Sequence, residues 1–385
     1  MDPNGRRILM VMDSLAVGGT ETHVLSVVKA LRSLGVRPLY AGAGGPLYEA
    51  YARAGVPMYD VDLTPGTLAD PADAPRTVQR LKRVIQGGQA DLVHVHQMPS
   101  GLYAARAAAE LGVPVAFSVH GTYYSSGQLE EMRRLGASFV SVSRPVERFL
   151  RELGIPSFLV PNGVDSDEFY PAPAPERLRR KWKIPPDAVV IVYVSRLAWD
   201  KAAVCSMLLR AAAGIRRRTG RNLHVVAVGG GPQYREIERL ADSLQSPVGE
   251  SFLHLTGGQT KVRDFYAMAD LVVGTGRVAL EAMFCAKPVL AIGNHGYFGL
   301  VEPSSYAQAW DRYFGDHDSL SKTDVNLIAS DLEAALADRL RLRRIGDQAF
   351  EWVRGTFDIH RIGLMLAGVY ENAIRGAAER KGGRS

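Results

Sequence analysis

Two basic side chains and one glycine turn are the residues of this chain best suited to binding a phosphate. Arg196 and Lys201 follow the apolar run at residues 189–195, which predicts a buried strand. A second apolar strand leads into Gly-Thr-Gly at residues 274–276 and then into a helix that we expect Glu281 to open. Glycines let backbone N–H groups approach an anion, and paired cations suit a diphosphate. Together these residues predict a nucleotide-sugar site.

Alternating strands and helices must position these residues, and the sequence predicts two rounds of that alternation. Apolar runs between helical segments are typical of parallel strands that are buried on both faces. The strands are expected at residues 7–12, 38–41, 92–95, 114–119, 139–142 and 157–160 in the first half, and at 189–195, 223–228, 252–255, 271–273 and 288–292 in the second. The predicted fold class is α/β, with two Rossmann-like domains whose loops at the strand carboxyl ends face a shared cleft.

A proline-rich run at residues 171–175 interrupts both periodicities and is expected to be an extended connection. It divides the chain into an N-terminal domain at residues 1–170 and a C-terminal domain at 171–355. The amphipathic stretch at 359–374 has no following strand. We therefore expect residues 356–385 to form a helix that packs across both domains.

Composition limits the classes of protein that the chain can represent. A length of 385 residues suits two domains, and no apolar run approaches the roughly 20 residues of a membrane helix, so we expect a cytoplasmic protein. The net charge of +6 favours anionic partners, but no aromatic residues interleave with the basic clusters, so nucleic acid is not an expected partner. Cys205 and Cys285 lack metal-ligand spacing and are expected to be reduced and buried.

Several motifs occur in an order that resembles the retaining, family-4 type of GT-B glycosyltransferase. They are Gly-Gly-Thr-Glu at residues 18–21, His-Gly at 120–121, Val-Pro-Asn-Gly-Val-Asp at 160–165, Ser-Arg-Leu at 195–197 with Lys201, Gly-Gly-Gly-Pro at 229–232, and the turn at 274–276 leading to Glu-Ala-Met at 281–283. The resemblance covers most of the chain. It implies a nucleotide diphosphate bound mainly by the C-terminal domain, an acceptor bound by the N-terminal domain, and transfer without a metal or other cofactor.

The resemblance also assigns roles to residues of the C-terminal half. Arg196 and Lys201 correspond to the cations that stabilise the charge growing on the leaving diphosphate. Glu281 corresponds to the second acid of a glutamate pair, which accepts hydrogen bonds from the ribose; capping a helix N-terminus is its alternative role. The backbone N–H groups of Gly276, Arg277 and Val278 are expected to face the distal phosphate. Gly230, in the glycine run after a strand, is likewise assigned to the donor.

In the N-terminal half the resemblance points to a loop and a histidine. Gly18 and Gly19 lie between the first strand and helix, where a side chain would obstruct the donor phosphate; a purely structural turn is the alternative. His120 ends a strand and is expected near the donor sugar, with a core histidine as the alternative. His94 and His96 have a spacing that looks like a metal site, but no third ligand accompanies them.

The chain departs from the family pattern near the expected sugar. The first acid of the glutamate pair should stand at residue 273, where this chain has Val273. Arg277 replaces an apolar residue, and its side chain either adds charge to the site or points into solvent. Asn294, His295 and Tyr297 are candidate replacement contacts with the sugar, with a polar surface loop as the alternative. The identity of the sugar therefore stays open.

The predicted function is a retaining glycosyltransferase that moves a hexose or N-acetylhexosamine from a nucleoside diphosphate sugar, with UDP as the expected nucleotide. The acceptor is a hydroxyl group in a cell-envelope polysaccharide, a glycolipid or a secondary metabolite, so a peripheral contact with the inner face of a membrane stays open. Tyr123, Tyr124 and the pair Arg133 and Arg134 are candidates to face that acceptor. The alternatives are a nucleotide-sugar-binding protein without transferase activity and a GT-B sugar-nucleotide epimerase. No fingerprint of a nicotinamide-dependent dehydrogenase and no paired carboxylates of a glycosidase are recognisable.

Overall fold

The structure is a computed structural model, and it describes residues 5–69, 73–245, 251–293 and 296–382. The chain divides into two compact units. The first unit joins Met1–Asp165 to Phe357–Ser385, and the second is Ser166–Thr356. The proline-rich run at 171–175 has no regular secondary structure and belongs to the second unit.

The first unit contains a seven-stranded sheet in which every pairing is parallel. Its strands are β1 (Arg7–Ser14), β2 (Arg37–Ala43), β3 (Met58–Asp60), β4 (Leu92–Val95), β5 (Val115–Val119), β6 (Ser138–Ser141) and β7 (Ser157–Leu159). The helices between them are α1 (Gly19–Ser33), α2 (Tyr48–Arg53), α3 (Ala74–Gly87), α4 (Ser100–Leu111), α5 (Ser126–Arg134) and α6 (Arg144–Glu152). The strand order is β3-β2-β1-β4-β5-β6-β7, so the direction of winding reverses between β1 and β4.

The second unit repeats this plan with six strands. They are β8 (Val189–Val194), β9 (Leu223–Val228), β10 (Leu253–Leu255), β11 (Leu271–Gly274), β12 (Val289–Gly293) and β13 (Gly296–Leu300). Its helices are α7 (Glu176–Lys181), α8 (Trp199–Thr219), α9 (Tyr234–Leu244), α10 (Val262–Met268), α11 (Gly276–Phe284), α12 (Tyr306–Asp311), α13 (Val325–Ala337) and α14 (Arg339–Phe357). The order is β10-β9-β8-β11-β12-β13, with only β13 antiparallel among the described strands, and the winding reverses between β8 and β11.

The predicted α/β class with two Rossmann-like sheets is confirmed. Each predicted strand is a strand, because a continuous apolar run buried on both faces is a strong signal of parallel sheet structure. Two edge strands were missed: β3 has three residues, and β13 carries Gly296 and Gly299, a residue type that is depleted in strands.

The final helix, α15 (Ile359–Gly382), belongs to the first unit and packs on α1. Its apolar face shares a core with residues of β1 and α1, and a side chain at Gly363 would lie 3.1 Å from Cβ of Ala30. The hydroxyl of Tyr370 lies 2.7 Å from Nδ1 of the buried His94 on β4. This polar contact fixes the helix against the sheet.

Two further expectations concern cysteine and membrane segments. Cys205 and Cys285 are free and buried, as predicted, and burial raises the pKa of each thiol to about 12. Over the residues that the structure describes, none of the helices combines the length and apolarity required to cross a bilayer.

Replacing Tyr370 with Phe tests how α15 is held. The variant leaves Nδ1 of His94 buried without its hydroxyl partner, so the free energy of unfolding should fall by about 1–3 kcal/mol. Urea denaturation measures this change. Tyr48→Phe, at an exposed tyrosine of the same unit, is the control and should change stability by less than about 0.5 kcal/mol. Equal effects of the two substitutions would contradict the assigned contact.

Candidate functional site

The two predicted cations follow β8 at the point where the sheet of the second unit reverses its winding. The turn at residues 195–198 connects β8 to α8, and Trp199 begins that helix with a φ of +47°, a strained value for a bulky residue. The guanidinium of Arg196 lies 5.9 Å from the centre of the Trp199 ring. Arg196, Trp199 and Lys201 line one cavity of about 310 Å³. The structure therefore brings the two cations together.

The predicted glycine turn lies beside them, after the neighbouring strand β11. Thr275 precedes α11 in an extended conformation, and Gly276 begins the helix with a φ of +54°, which favours glycine. Lys201, Gly274 and Thr275 line a second, smaller cavity. Helix N-termini present unsatisfied N–H groups and a partial positive charge. The ammonium of Lys201 and the start of α11 therefore form one electropositive site.

Asp316 places a carboxylate at this electropositive site, and the sequence alone did not identify it. Oδ1 of Asp316 lies 4.0 Å from Nζ of Lys201, and its Cγ would be 3.4 Å from a Cβ added at Gly276. No motif marks Asp316, because it reaches the site from an irregular segment that follows α12. Asp316 is thus an acidic partner of Lys201.

Glu281 lies inside α11 and does not open it. The helix begins five residues earlier at Gly276, so the expectation that Glu281 opens it was wrong, and the alternative capping role falls with it. Its Oε1 accepts a hydrogen bond from Nε of Arg277 at 2.6 Å, and its Oε2 accepts one from the Tyr266 hydroxyl at 3.0 Å. Burial, and next the charge of Glu281, raise the pKa of Tyr266 well above its usual value.

The Arg277 side chain is mostly buried, so the expectation that it points into solvent was wrong, while its charge at the site stays a prediction. The ion pair with Glu281 has side-chain exposures of only 15% and 12%. This i,i+4 pairing neutralises the carboxylate that we expected at the ribose. The backbone N–H of Val278 donates to the carbonyl of Thr275 at 3.1 Å, against the expectation that it is available to a phosphate. Val273 is fully buried in the core on β11 and offers nothing to a sugar.

The glycine run after β9 contains two residues that packing requires and one that it does not. A Cβ at Gly229 would lie 1.8 Å from the carbonyl oxygen of Ser195, and one at Gly231 would lie 2.4 Å from that of Leu197. At Gly230 the nearest atom is 3.6 Å away, which is ordinary contact. Packing therefore explains the outer glycines, while Gly230 remains available for the predicted contact with a donor.

The predicted histidine of the first unit belongs to a cluster of imidazoles. Nε2 of His120, just after β5, lies 3.2 Å from Nδ1 of His96, and the His23 ring is 6.0 Å from that of His120. Burial lowers the pKa of His120 to about 4, so the ring is neutral at pH 7. His96 is buried, and desolvation, followed by the neighbouring imidazoles, lowers its pKa well below the usual value.

His94 has a structural role. Its ring bonds Tyr370 on α15 and the hydroxyl of Ser118 on β5, at 2.7 and 2.8 Å. Burial lowers its pKa to about 3. In the described part of the chain, no group of three or more His, Cys, Asp or Glu residues is arranged to hold a metal ion.

Gly18 and Gly19 at the start of α1 differ in what surrounds them. A Cβ at Gly18 would lie 2.3 Å from Oε2 of Glu21, whereas one at Gly19 would meet no atom within 4 Å. Glu21 is buried and accepts a hydrogen bond from Gln97, which in turn accepts one from the backbone N–H of Asp13. Gly18 thus makes room for a polar network within the protein, while Gly19 leaves open space.

The residues that we named as candidates to face the acceptor separate into exposed and buried ones. Tyr123 is exposed, but Tyr124 is buried and its hydroxyl lies 3.3 Å from the carbonyl of His96. Arg133 and Arg134 both pair with Glu130 on the surface of α5. Exposure therefore favours Tyr123 over Tyr124.

The structure describes one of the three residues that we expected to contact the sugar in place of the missing acid. Asn294 and His295 lie outside the described residues. Tyr297 lies on β13, where its ring is buried in the core and its hydroxyl bonds Asp331. The expectation that it faces a sugar was therefore wrong, because the segment is a strand rather than a surface loop.

Comparison with known proteins identifies the family of the chain. Residues 17–168 match the family Glycosyltransferase Family 4, and residues 175–352 match Glycosyl transferases group 1. The chain is 29% identical over 378 residues to a GDP-mannose-dependent alpha-(1-6)-phosphatidylinositol monomannoside mannosyltransferase of Mycolicibacterium smegmatis, covering 91% of this chain and 94% of that one.

Two solved structures share the fold. A glycosyltransferase of Rickettsia africae superposes with a TM-score of 0.77 at 18% identity, covering 96% of this chain and 99% of the other. Anabaena HepE in complex with UDP gives a TM-score of 0.74 at 18% identity, covering 95% and 100%. At such identities the likeness shows the GT-B fold.

Alanine substitutions in the glycine run should separate packing from binding. Gly229→Ala and Gly231→Ala should each lower the free energy of unfolding by about 1–3 kcal/mol, because the new Cβ meets a backbone oxygen. Gly230→Ala should stay within about 0.5 kcal/mol of the wild type and instead weaken binding of a nucleoside diphosphate. Thermal denaturation and calorimetric titration with UDP and GDP measure the two effects. Equal destabilisation by all three substitutions would contradict this distinction.

Stability should fall as the pH drops below 6.5. Burial lowers the pKa of His94 to about 3 and that of His120, His224 and His254 to about 4. The unfolded chain binds protons at these rings below pH 6.5 while the folded protein does not, so the stabilisation is complete above 6.5 and declines towards 4. Urea denaturation between pH 7.5 and 5 measures the slope.

His254→Gln is the matched variant for this test. It removes one of these imidazoles, so the free energy of unfolding should change less steeply with pH than in the wild type. This holds whatever the variant's stability is at pH 7. A free energy of unfolding that stays constant or rises on acidification through this range would contradict the buried, neutral state of these histidines.

Proposed function

The chain is a GT-B glycosyltransferase of the family-4 type, and from that premise we propose that it transfers a hexose or N-acetylhexosamine, with retention, from a nucleoside diphosphate sugar to a hydroxyl group. The observation that carries the proposal is the position of Lys201. It lines one cavity with Arg196 and another with the turn before α11, at the carboxyl ends of the adjacent strands β8 and β11, where the winding of the sheet reverses. Parallel sheets bind ligands at such switch points, and this one combines two cations with a helix N-terminus.

The proposed chemistry depends on how well the diphosphate leaves. As the bond between the anomeric carbon and the phosphate oxygen breaks, negative charge grows on the diphosphate. Fixed cations lower the energy of that state more than they lower the energy of the bound substrate. Arg196, Lys201 and the N–H groups at the start of α11 would supply this stabilisation without a metal.

Retention would follow from attack on the face that the diphosphate leaves. The acceptor oxygen bonds to the anomeric carbon, the bond to the phosphate oxygen breaks, and the acceptor proton passes to that phosphate oxygen. No base from the protein is required. We assign the Glu281 carboxylate to the ribose hydroxyls, which would compete for it with Arg277 and Tyr266. We assign His120, as a neutral imidazole, to a hydroxyl group of the donor sugar.

For the nucleotide and the acceptor, we propose candidates rather than a single compound. UDP is the nucleotide that the sequence predicted, and the HepE complex contains it, while the mycobacterial relative is named for GDP-mannose. We propose that the first unit binds the acceptor. A polysaccharide, a glycolipid and a secondary metabolite remain candidates, and a lipid-linked acceptor would place the protein at the inner face of the membrane.

A donor screen tests the proposal. UDP-glucose, UDP-N-acetylglucosamine and GDP-mannose are incubated with the protein and a panel of hydroxyl acceptors, and nucleoside diphosphate release is measured along with the anomeric configuration of the product by NMR. Release that depends on an acceptor supports transfer. Donor binding without release would favour a binding protein, consumption without any acceptor an epimerase, and an inverted product would exclude retention.

Lys201→Ala should reduce turnover by roughly 100- to 1,000-fold, because one fixed charge at the leaving group is lost. The free energy of unfolding should change by less than about 0.5 kcal/mol, since Lys201 is partly exposed and its ion pair spans 4.0 Å. Arg217→Ala is the control: it removes a cation from the exposed end of the same helix and should leave both quantities unchanged. Unchanged turnover in Lys201→Ala would contradict the assignment.

A further inference from the structure

The segment that carries Asp316 is fixed against the predicted phosphate site by backbone contacts. The hydroxyl of Thr275 donates to the carbonyl of Phe314 at 2.8 Å. A Cβ at Gly293, at the end of β12, would lie only 1.8 Å from the carbonyl oxygen of Gly315. The segment therefore follows the ends of two neighbouring strands closely and has a defined position there.

The backbone of this segment adopts a conformation that only its packing can maintain. Tyr313, Phe314 and Gly315 have φ values of +47°, +56° and +83°, three successive residues in the left-handed region. Two of them are bulky, and such residues rarely adopt that conformation. Both rings are buried, at 4% and 0% exposure, so apolar burial holds the strained turn. The next residue along the chain is Asp316.

The turn places the Asp316 carboxylate between a cation and the start of a helix. Oδ1 is 4.0 Å from Nζ of Lys201, and Oδ2 is 3.7 Å from Nε2 of His317. A Cβ added at Gly276 would lie 3.4 Å from Cγ and Oδ2 of the same carboxyl group. The Asp316 side chain keeps 21% of its surface exposed, so a ligand can reach it.

A carboxylate in this position suits the sugar of a nucleotide sugar and not its phosphates. It repels the phosphate oxygens, which carry the same sign of charge. It accepts hydrogen bonds from hydroxyl groups, and those of the transferred sugar lie next to the distal phosphate. Glu281, the carboxylate of α11, is already bonded to Arg277 and Tyr266, and Val273 is apolar and buried.

We propose that Asp316 is a specificity-determining residue that accepts hydrogen bonds from hydroxyl groups of the donor sugar. The inference rests on the proposed function, because it requires the diphosphate to bind Lys201. When the diphosphate takes over that ammonium, the carboxylate loses its cation and turns to the sugar hydroxyls. Asp316 thus distinguishes a nucleotide sugar from a nucleoside diphosphate.

The test compares ligands with and without the sugar. Calorimetric titration measures the affinity of UDP against UDP-glucose, and of GDP against GDP-mannose, for the wild type, Asp316→Ala and Asp316→Asn. In Asp316→Ala the affinity for the nucleotide sugar should fall about tenfold or more, the size expected for a lost charge-assisted hydrogen bond. The affinity for the nucleoside diphosphate should stay constant or rise, because Lys201 loses a competing carboxylate.

Asp318→Ala is the matched control, since it removes the same charge from an exposed position two residues away and should change neither affinity. Asp316→Asn preserves the shape of the side chain, and circular dichroism establishes that each variant is folded. If Asp316→Ala does not fold, the affinities of Asp316→Asn test the proposal instead. It should weaken sugar binding about threefold or more, because a neutral acceptor forms the weaker bond.

Two outcomes overturn the inference in different ways. If the wild type binds both kinds of ligand and the folded Asp316 variants change both affinities alike, or change neither, Asp316 does not bind the sugar, while the proposed function stands. If the wild type binds none of the four ligands, the proposed function fails and the inference fails with it.

Discussion

The reversal of winding between β8 and β11 is the constraint on which the candidate site depends. Because the connections from these adjacent parallel strands leave in opposite directions, their carboxyl ends are not covered by a crossover. Lys201 on α8 and the turn at Gly274 and Thr275, just before α11, therefore line one cavity, although they are distant in sequence. The buried, apolar sheet fixes the ends of these strands, and charges that are held in position stabilise a leaving group more effectively than mobile ones.

Two of the charged side chains at the candidate site already have partners within the protein. Lys201 faces Asp316, and Glu281 is bonded by Arg277 and Tyr266. In the proposed complex, a diphosphate would exchange one anionic partner of Lys201 for another, so part of its Coulombic gain would be offset by the pair that it replaces. The same exchange would release the Asp316 carboxylate beside the ligand, which would link recognition of the phosphate to recognition of the sugar.

The sequence predicted those parts of the fold and site that follow from simple periodicity. Continuous apolar runs predicted the strands from β8 to β12, and the parallel pattern predicted that Lys201 would meet the turn at Gly276. Asp316 could not be found, because two buried aromatic residues in left-handed conformations carry it there and no sequence pattern signals that turn. The i,i+4 spacing of Arg277 and Glu281 did signal their ion pair, but the two residues were assigned to separate parts of a ligand. Gly18 was expected to admit a ligand, whereas the carboxylate of Glu21 already occupies the space beside it.

A crystal structure of the protein with a bound nucleoside diphosphate, UDP or GDP, would show directly whether Arg196 and Lys201 hold the diphosphate. We expect the diphosphate at the carboxyl ends of β8 and β11. Its oxygens should be within hydrogen-bonding distance of Nζ of Lys201, the guanidinium of Arg196 and the backbone N–H of Gly276. A nucleotide bound elsewhere, or a diphosphate that contacts neither cation, would contradict this expectation.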